Sequence, residues 1–589
     1  MVSRLLLDTK NNLLRYVSMG VQVTTLEKKK VVLVGLYLPG IYPPGKDEVV
    51  SGLLSNAFLK ATAEADSDIT SRYDFEIIDI PTTLKSSEIA KKICELKPDV
   101  LCYSVYMWNY TQMTESLPIV KSIFPKAKVL LGGPLVTYTP EDMLQKNPLV
   151  DVIVCGSGES RFKRLLKNDF NLEALRDIQR IAFRDENRNI CITEGDVQED
   201  LNEIPLPYHN KAVDLNDGRK HTVIIETYRG CVFECGYCIW GEPDKSLYKF
   251  PIDGVLSEID TIYNNPNVEA VIFADACLFY TRERAKQIID KIVASSEGKR
   301  IPTVLTLDIL VINEEMVQSL SKLNMIHGQL HFGMQTTNPK ALELLKRKSG
   351  PDIFKKRIEQ IRHVDPSAQI SFDLIYGLPG DDYEAFREST DFAMSMNPGK
   401  LYFSPLLLLP GTPFWDQKEE LGFDYDPSPP YMVRSNKHYS LEDMEKTFRL
   451  VLWLLTIMYV PAIRDVIVKI PGYNSKFRSI ELVDRYIEIL RKTVDPVSEC
   501  ECIFTIDNNN ESRRHVMNVI SKPENILLAY KATQQLLREC DAEVLSEDIK
   551  IGIDYYRSMC QETERKDIDF YDQYDREKID YIKTSWVTA

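Results

Sequence analysis

The chain has 589 residues, 44% hydrophobic and 27% charged, with 72 basic against 87 acidic side chains and a formal charge of −15. That length accommodates about three or four domains, and the acidic balance argues against a general binder of nucleic acid or anionic membrane, which would carry basic clusters. No secretory leader is visible in the first thirty residues, so the twelve cysteines are expected to be free thiols in a reducing cytoplasm rather than a disulfide framework.

Residues 1–29 read as an N-terminal extension. Short apolar runs then follow at 31–36 (VVLVGL), 75–80 (FEIIDI), 100–105 (VLCYSV), 128–133 (KVLLGG) and 151–155 (DVIVC). Helical patterns lie between them, as at 86–97 and 111–124. Strands alternating with helices predict a parallel α/β sheet, here a Rossmann-like domain over 30–171. Its ligand is expected at the carboxyl ends of the strands. Residues 172–222, rich in turn formers at NEIPLPYHN (202–210), read as a connector.

A second βα series begins at 223. Its strands are expected at 223–227, 270–275, 303–309, 328–334, 369–375 and 401–409, a partial (β/α)6 barrel over 223–415 with its chemistry at the strand C-terminal ends. Residues 416–589 are mostly helical and acidic, and read as a cover for the substrate. Their longest apolar stretch, from Leu450 to Ile463, is shorter than the ~20 residues of a membrane span and is broken by Pro461. It predicts a buried helix with Ser440 as its N-cap.

The segment RGCVFECGYCIW (229–240) holds Cys231, Cys235 and Cys238. A structural zinc site wants four ligands, and no second pair of the required spacing exists here. A redox pair of Cys235 and Cys238 leaves Cys231 unexplained. Three thiolates on one loop fit an iron–sulfur cluster best, with one iron left open for a substrate or cofactor.

The CxxxCxxC spacing, with Tyr237 before the last cysteine, resembles the radical S-adenosylmethionine superfamily. ETYRGCVFECGYC is similar to the opening of its cobalamin-dependent members. The resemblance implies a [4Fe-4S] cluster on the three cysteines, whose open iron binds S-adenosylmethionine. Further segments are family-like. FADACLF (273–279), with Asp275, resembles the segment near the methionine amino group. HFGMQ (331–335), ending in Gln335, resembles ExGxQS with His331 and Thr336 in place of Glu and Ser. FDLIYGLPG (372–380) carries Asp373.

The first domain resembles the cobalamin-binding domain of the same branch. The matching loops hold Ser104, Tyr106, Trp108 and Asn109, then Gly132, Gly133 and Pro134, then Gly156, Ser157, Gly158 and Glu159. Leu38 and Tyr106 are expected near cobalt by loop position. All seven histidines lie at 209 or later, so the loop after the first strand offers none to cobalt.

The resemblance implies a C-methyltransferase that moves a methyl from S-adenosylmethionine through methylcobalamin to an unactivated or aromatic carbon. The layout is similar to a tryptophan 2-C-methyltransferase. The expected partners are a small-molecule or peptide substrate and a reductant such as flavodoxin or ferredoxin. A cobalamin-dependent rearrangement, ring contraction or cyclisation is the alternative. A methylthiotransferase and a cobalamin sensor fit less well.

Overall fold

The computed structural model describes residues 27–38, 49–195, 199–240, 246–298, 300–325, 329–459, 461–493 and 523–546. Of the expected extension over 1–29, residues 1–26 lie outside the described residues and Lys29 already belongs to the first strand; His327, His515, the chain after 546 and most of the loop after the first strand also lie outside them.

The first domain is built on strands β1 (Lys29–Tyr37), β3 (Tyr73–Pro81), β4 (Val100–Ser104), β5 (Lys128–Gly132), β6 (Val152–Val154), β7 (Ile181–Arg184) and β8 (Ile190–Ile192); β2 (Val49–Ser51) leaves it. The sheet order is β3-β1-β4-β5-β6-β7-β8. The first five strands are parallel, and β7 and β8 extend the edge antiparallel. The β1 strand buries six consecutive residues from Val31 to Leu36, as a strand covered on both faces must. Two apolar cores, one on each face, include Val32, Leu101 and Val129 on one side and Val31, Val100 and Leu130 on the other. Strand order reverses between β1 and β4, which opens a crevice at the carboxyl ends of the strands.

Two features depart from the sequence reading. The segment expected to be a connector contributes β7 and β8. The β2 strand pairs in parallel with β9 (Lys220–Ile225) of the second sheet, so chain from the first half closes the edge of the second.

After β9 the chain forms a separate two-stranded antiparallel flap, β10 (Tyr228–Arg229) and β11 (Tyr248–Lys249), and the second sheet continues with β12 (Val268–Phe273) and β13 (Thr303–Val304), parallel to β9. A parallel bridge from Leu307 to Phe332 leads on to β14 (Gln329–Gln335), β15 (Gln369–Tyr376) and β16 (Lys400–Pro405). The six strands β9, β12, β13, β14, β15 and β16 form the partial barrel. Alternation sorts its faces: Phe372 and Phe403 meet helix residues Phe354 and Phe386 edge-on, so Ser371 and Asp373 point to the lumen.

Helix Leu441–Tyr459 starts at Ser440, whose Oγ accepts from Asp443 N at 3.1 Å. It buries Leu450, Val451, Leu454 and Ile457 in the barrel's core cluster. Among the described residues no single helix is long and apolar enough to cross a membrane; this helix and Pro461–Tyr473 are bent by 96°. Helix Ser479–Thr493 is held to helix Tyr383–Ser395 by the Arg387–Asp484 pair.

Candidate active site

A cavity of about 510 Å³ opens at the carboxyl ends of β4, β5 and β6. One wall is the first domain: Ser104, Tyr106 and Trp108 after β4; Gly132, Gly133 and Pro134 after β5; Gly156, Ser157, Gly158 and Glu159 after β6. The other wall is the barrel's entrance: Ile224, Glu226, Arg229, Gly230, Ile239 and Trp240. The cavity is therefore shared between the two halves, and the cysteine loop forms part of its rim.

The loops are fixed by backbone geometry. Gly133 has φ +105, and a Cβ there would stand 2.6 Å from Val105 O. Only glycine lets the β5 loop approach the β4 loop so closely. Tyr106 and Trp108 stack at 4.3 Å and 14°, with Trp108 39% exposed, which makes a flat aromatic surface facing the cavity.

Two of the expected residues are placed elsewhere. Asn109 lies behind the loop: its Nδ2 donates to Leu36 O and Ser104 O, and its Oδ1 accepts from Tyr106 N. It ties the ends of β1 and β4 together and does not line the cavity. Leu38 is exposed at the end of β1 and is likewise absent from the cavity wall. Among the described residues no histidine lines it.

The cysteine loop begins at an abrupt turn. Gly230 has φ +95, and a Cβ there would fall 2.0 Å from Ser246 O, so the Arg-Gly-Cys step requires glycine. Asp275, 1% exposed, accepts from Thr227 N (2.8 Å), Thr227 Oγ1 (2.7 Å) and Tyr228 N (3.1 Å). Burial raises its carboxyl to about 6 against those hydrogen bonds. Its role in this geometry is to anchor the approach to the loop.

Cys231, Cys235 and Cys238 are free thiols of intermediate exposure. Cys238 Sγ accepts from Trp240 N at 3.4 Å, and Cys235 Sγ from Arg347 Nη1 at 3.7 Å. Burial pushes the Cys238 thiol up to about 11, so a metal bound there must displace its proton. Arg347 also donates to Gly333 O at 2.8 Å, tying β14 to the loop. Gly236 lies against Phe414, and Phe414 N donates to Gly236 O at 2.9 Å, so the segment after β16 supports the loop from outside.

Further into the lumen, His331 Nε2 meets Asp373 Oδ2 and His331 Nδ1 meets Ser371 Oγ, both at 2.8 Å. Tyr237 is partly buried, beside the titratable groups Arg347, Cys235, Cys238 and Asp373. Gln335 is buried at φ +67, and its Oε1 has no hydrogen-bond partner.

Two family models match the chain, the B12 binding domain over residues 67–166 and the Radical SAM superfamily over 225–393. The chain carries a B12 binding domain followed by a radical SAM domain. Among its curated relatives is the cobalamin-dependent radical SAM methyltransferase TokK of Streptomyces tokunonensis, 26% identical over 74% of this chain and 65% of the relative. The chain thus spans just under two thirds of that protein. Another is the anaerobic magnesium-protoporphyrin IX monomethyl ester cyclase of Cereibacter sphaeroides, 24% identical over 60% of this chain and 59% of the relative. Its fold is similar to that of the cobalamin-dependent S-adenosylmethionine radical enzyme OxsB (14% identity, TM-score 0.56, 90% of this chain and 84% of that one). It is also similar to the radical S-adenosylmethionine methyltransferase TsrM from Kitasatospora setae (15% identity, TM-score 0.53, 68% and 79%).

The residues of the chain fit both a cobalamin and an iron–sulfur cluster. Cobalamin carries amide side chains around a flat ring, and the cavity wall offers the stacked Tyr106–Trp108 pair with the polar residues Ser104, Ser157 and Glu159. For the cluster, Cys231, Cys235 and Cys238 share one loop, and the N–H groups of Trp240 and Arg347 point at two of the sulfurs.

Sequence reasoning missed Glu226, Arg229 and Arg347. Arg229 belongs to the quoted motif, yet nothing in the string ties it to Glu159, 70 positions earlier.

Proposed function

We propose that this enzyme is a C-methyltransferase, moving a methyl group from S-adenosylmethionine by way of cobalamin to a carbon of a small molecule or peptide in natural-product biosynthesis. The observation that carries this reading is the single cavity shared by the B12-domain loops and the cysteine loop. The printed activity of TokK supports it.

Bound there, cobalamin supplies a methyl carrier, and the cluster with S-adenosylmethionine supplies a radical source. The chain's own residues hold and orient. Tyr106 and Trp108 provide a flat surface, and Ser157 and Glu159 provide polar groups in the cavity wall. Cys231, Cys235 and Cys238 hold the cluster. Asp373 and Gln335, with His331, present polar groups to S-adenosylmethionine or the substrate in the lumen. In this reading residues 30–171 form the cobalamin domain, 223–415 the barrel, and 416–589 the cover over the substrate. The enzyme works in the cytoplasm with a flavodoxin or ferredoxin as electron donor and has no nucleic-acid partner.

The test is anaerobic reconstitution with iron, sulfide and cobalamin, then methyl-labelled S-adenosylmethionine, reductant and candidate substrates. Labelled product together with S-adenosylhomocysteine supports the reading. 5′-Deoxyadenosine with a rearranged or cyclised product and no methyl incorporation moves it to the second reading, which the cyclase relative favours.

A further inference from the structure

One of the contacts between the two halves of the chain is the Arg229 side chain. Arg229 immediately precedes the Gly230–Cys231 turn. Each of its guanidinium nitrogens has a separate acceptor: Nη2 donates to Glu159 Oε1 at 2.6 Å, Nη1 to Ser157 Oγ at 3.4 Å, and Nε to Glu226 Oε2 at 2.8 Å. Glu159 and Ser157 belong to the loop after β6, whereas Glu226 follows β9. The guanidinium also lies 5.2 Å from the Phe58 ring and 5.6 Å from the Phe250 ring. Those two rings stack on each other at 5.4 Å and 6°, one from each half. Arg229 thus binds a polar and an aromatic partner on both sides of the seam.

The Arg229 side chain is 14% exposed and that of Glu159 is 7%, so solvent screens the pair little. Glu159 and Ser157, the two first-domain acceptors of Arg229, both line the cavity. A ligand that fills the cavity therefore packs against the loop whose carboxylate holds Arg229. Any shift of that carboxylate reaches the residue two positions before Cys231.

We propose that Arg229 is a positioning residue that couples occupancy of the cobalamin cavity to the state of the cysteine loop, so that each cofactor alters the binding and spectrum of the other. The inference rests on the assignment of these two cofactors to the two sites. Coupling of this kind is reciprocal. A planar fork with three separately directed N–H groups is needed, which a lysine ammonium cannot reproduce.

The test titrates hydroxocobalamin into the full chain with its cluster reconstituted and with the cluster removed by chelation. In the unsubstituted enzyme, cluster loading tightens cobalamin binding by about tenfold, and cobalamin changes the electron paramagnetic resonance line shape of the reduced cluster. In Arg229→Gln and Arg229→Lys both cofactors still bind, but the affinity ratio falls to about one and the line shape no longer responds. Should Arg229→Gln not fold, Arg229→Lys and Glu226→Gln, the latter removing one arm, decide the matter by the same two readouts. A ratio that persists in the variants, or that is absent from the unsubstituted enzyme while both cofactors bind, overturns the coupling. An unsubstituted enzyme that takes up neither cofactor sinks the functional reading itself.

Discussion

His331 and Asp373 face each other across neighbouring barrel strands, Nε2 to Oδ2 at 2.8 Å, and their side chains are 37% and 40% exposed toward the lumen. The pair is open to whatever enters the barrel, and Ser371 fixes the other ring nitrogen. His331→Phe keeps an aromatic ring against Tyr402, with which His331 now packs edge-on at 5.1 Å. Turnover is expected to fall roughly tenfold to a hundredfold, as when a supporting polar partner is removed, with little change in melting temperature. Unchanged turnover would place the reacting groups elsewhere in the lumen.

Replacement of any one of Cys231, Cys235 or Cys238 by alanine should abolish cluster assembly. Iron after reconstitution is expected to drop from about four per chain to near zero. Cobalamin is still taken up, because its cavity is lined mainly by the first domain. Iron and cobalt analysis of the same samples separates the two effects.

Trp108→Ala tests the aromatic surface. The ring is 39% exposed beside Tyr106 and has no core to support. Cobalamin affinity is expected to weaken by about tenfold, the size of one lost aromatic contact, while denaturant midpoints stay put. A fallen midpoint with unchanged affinity would make Trp108 a structural residue.

Gly133→Ala places a methyl group against Val105 O at a positive φ. It should destabilise the first domain by about 1–3 kcal/mol and weaken cobalamin binding by pushing the β5 loop away from the β4 loop. Chemical denaturation of the apoprotein gives the first quantity, and a cobalamin titration the second.

Glu258 gives a pH signature. Burial raises its carboxyl to about 7, although the N–H groups of Tyr208 and His209 donate to it. The folded state therefore binds a proton more tightly than the unfolded chain, whose glutamate titrates near the ordinary value of ~4.3. The resulting stabilisation is present below that value and is lost as pH rises from there through about 7. Glu258→Gln should flatten this part of the stability profile, measured by denaturant midpoints from pH 4.5 to 8. An unchanged slope would assign it to another group.

Much of this was legible in the string. Runs such as VVLVGL announce β1 because a strand buried on both faces must be apolar throughout, and three cysteines at fixed spacing announce their loop. The antiparallel pair β7–β8 was not legible: Ile181–Arg184 and Ile190–Ile192 are short, and the second is half exposed. The expected strand at 303–309 pairs with β12 only over Thr303–Val304, because the chain then turns away to bridge β14 at Leu307. At the site, Asn109 matched a ligand loop by position, yet its amide holds two strand ends together. Arg229 shows the opposite failure, since its partners come from distant segments and leave no periodic trace.

The β2 strand carries a consequence for dissecting the protein. Its three residues complete β9 from the other side of the seam, so the halves are laced together rather than strung in series. A barrel fragment starting after the first sheet would present the bare N–H and C=O groups of β9 to solvent, an open template for another chain. Such a fragment should self-associate, and adding residues 49–51 back as a peptide should compete with that association. Gene fusions or truncations that treat the boundary as a simple linker would sever this thread.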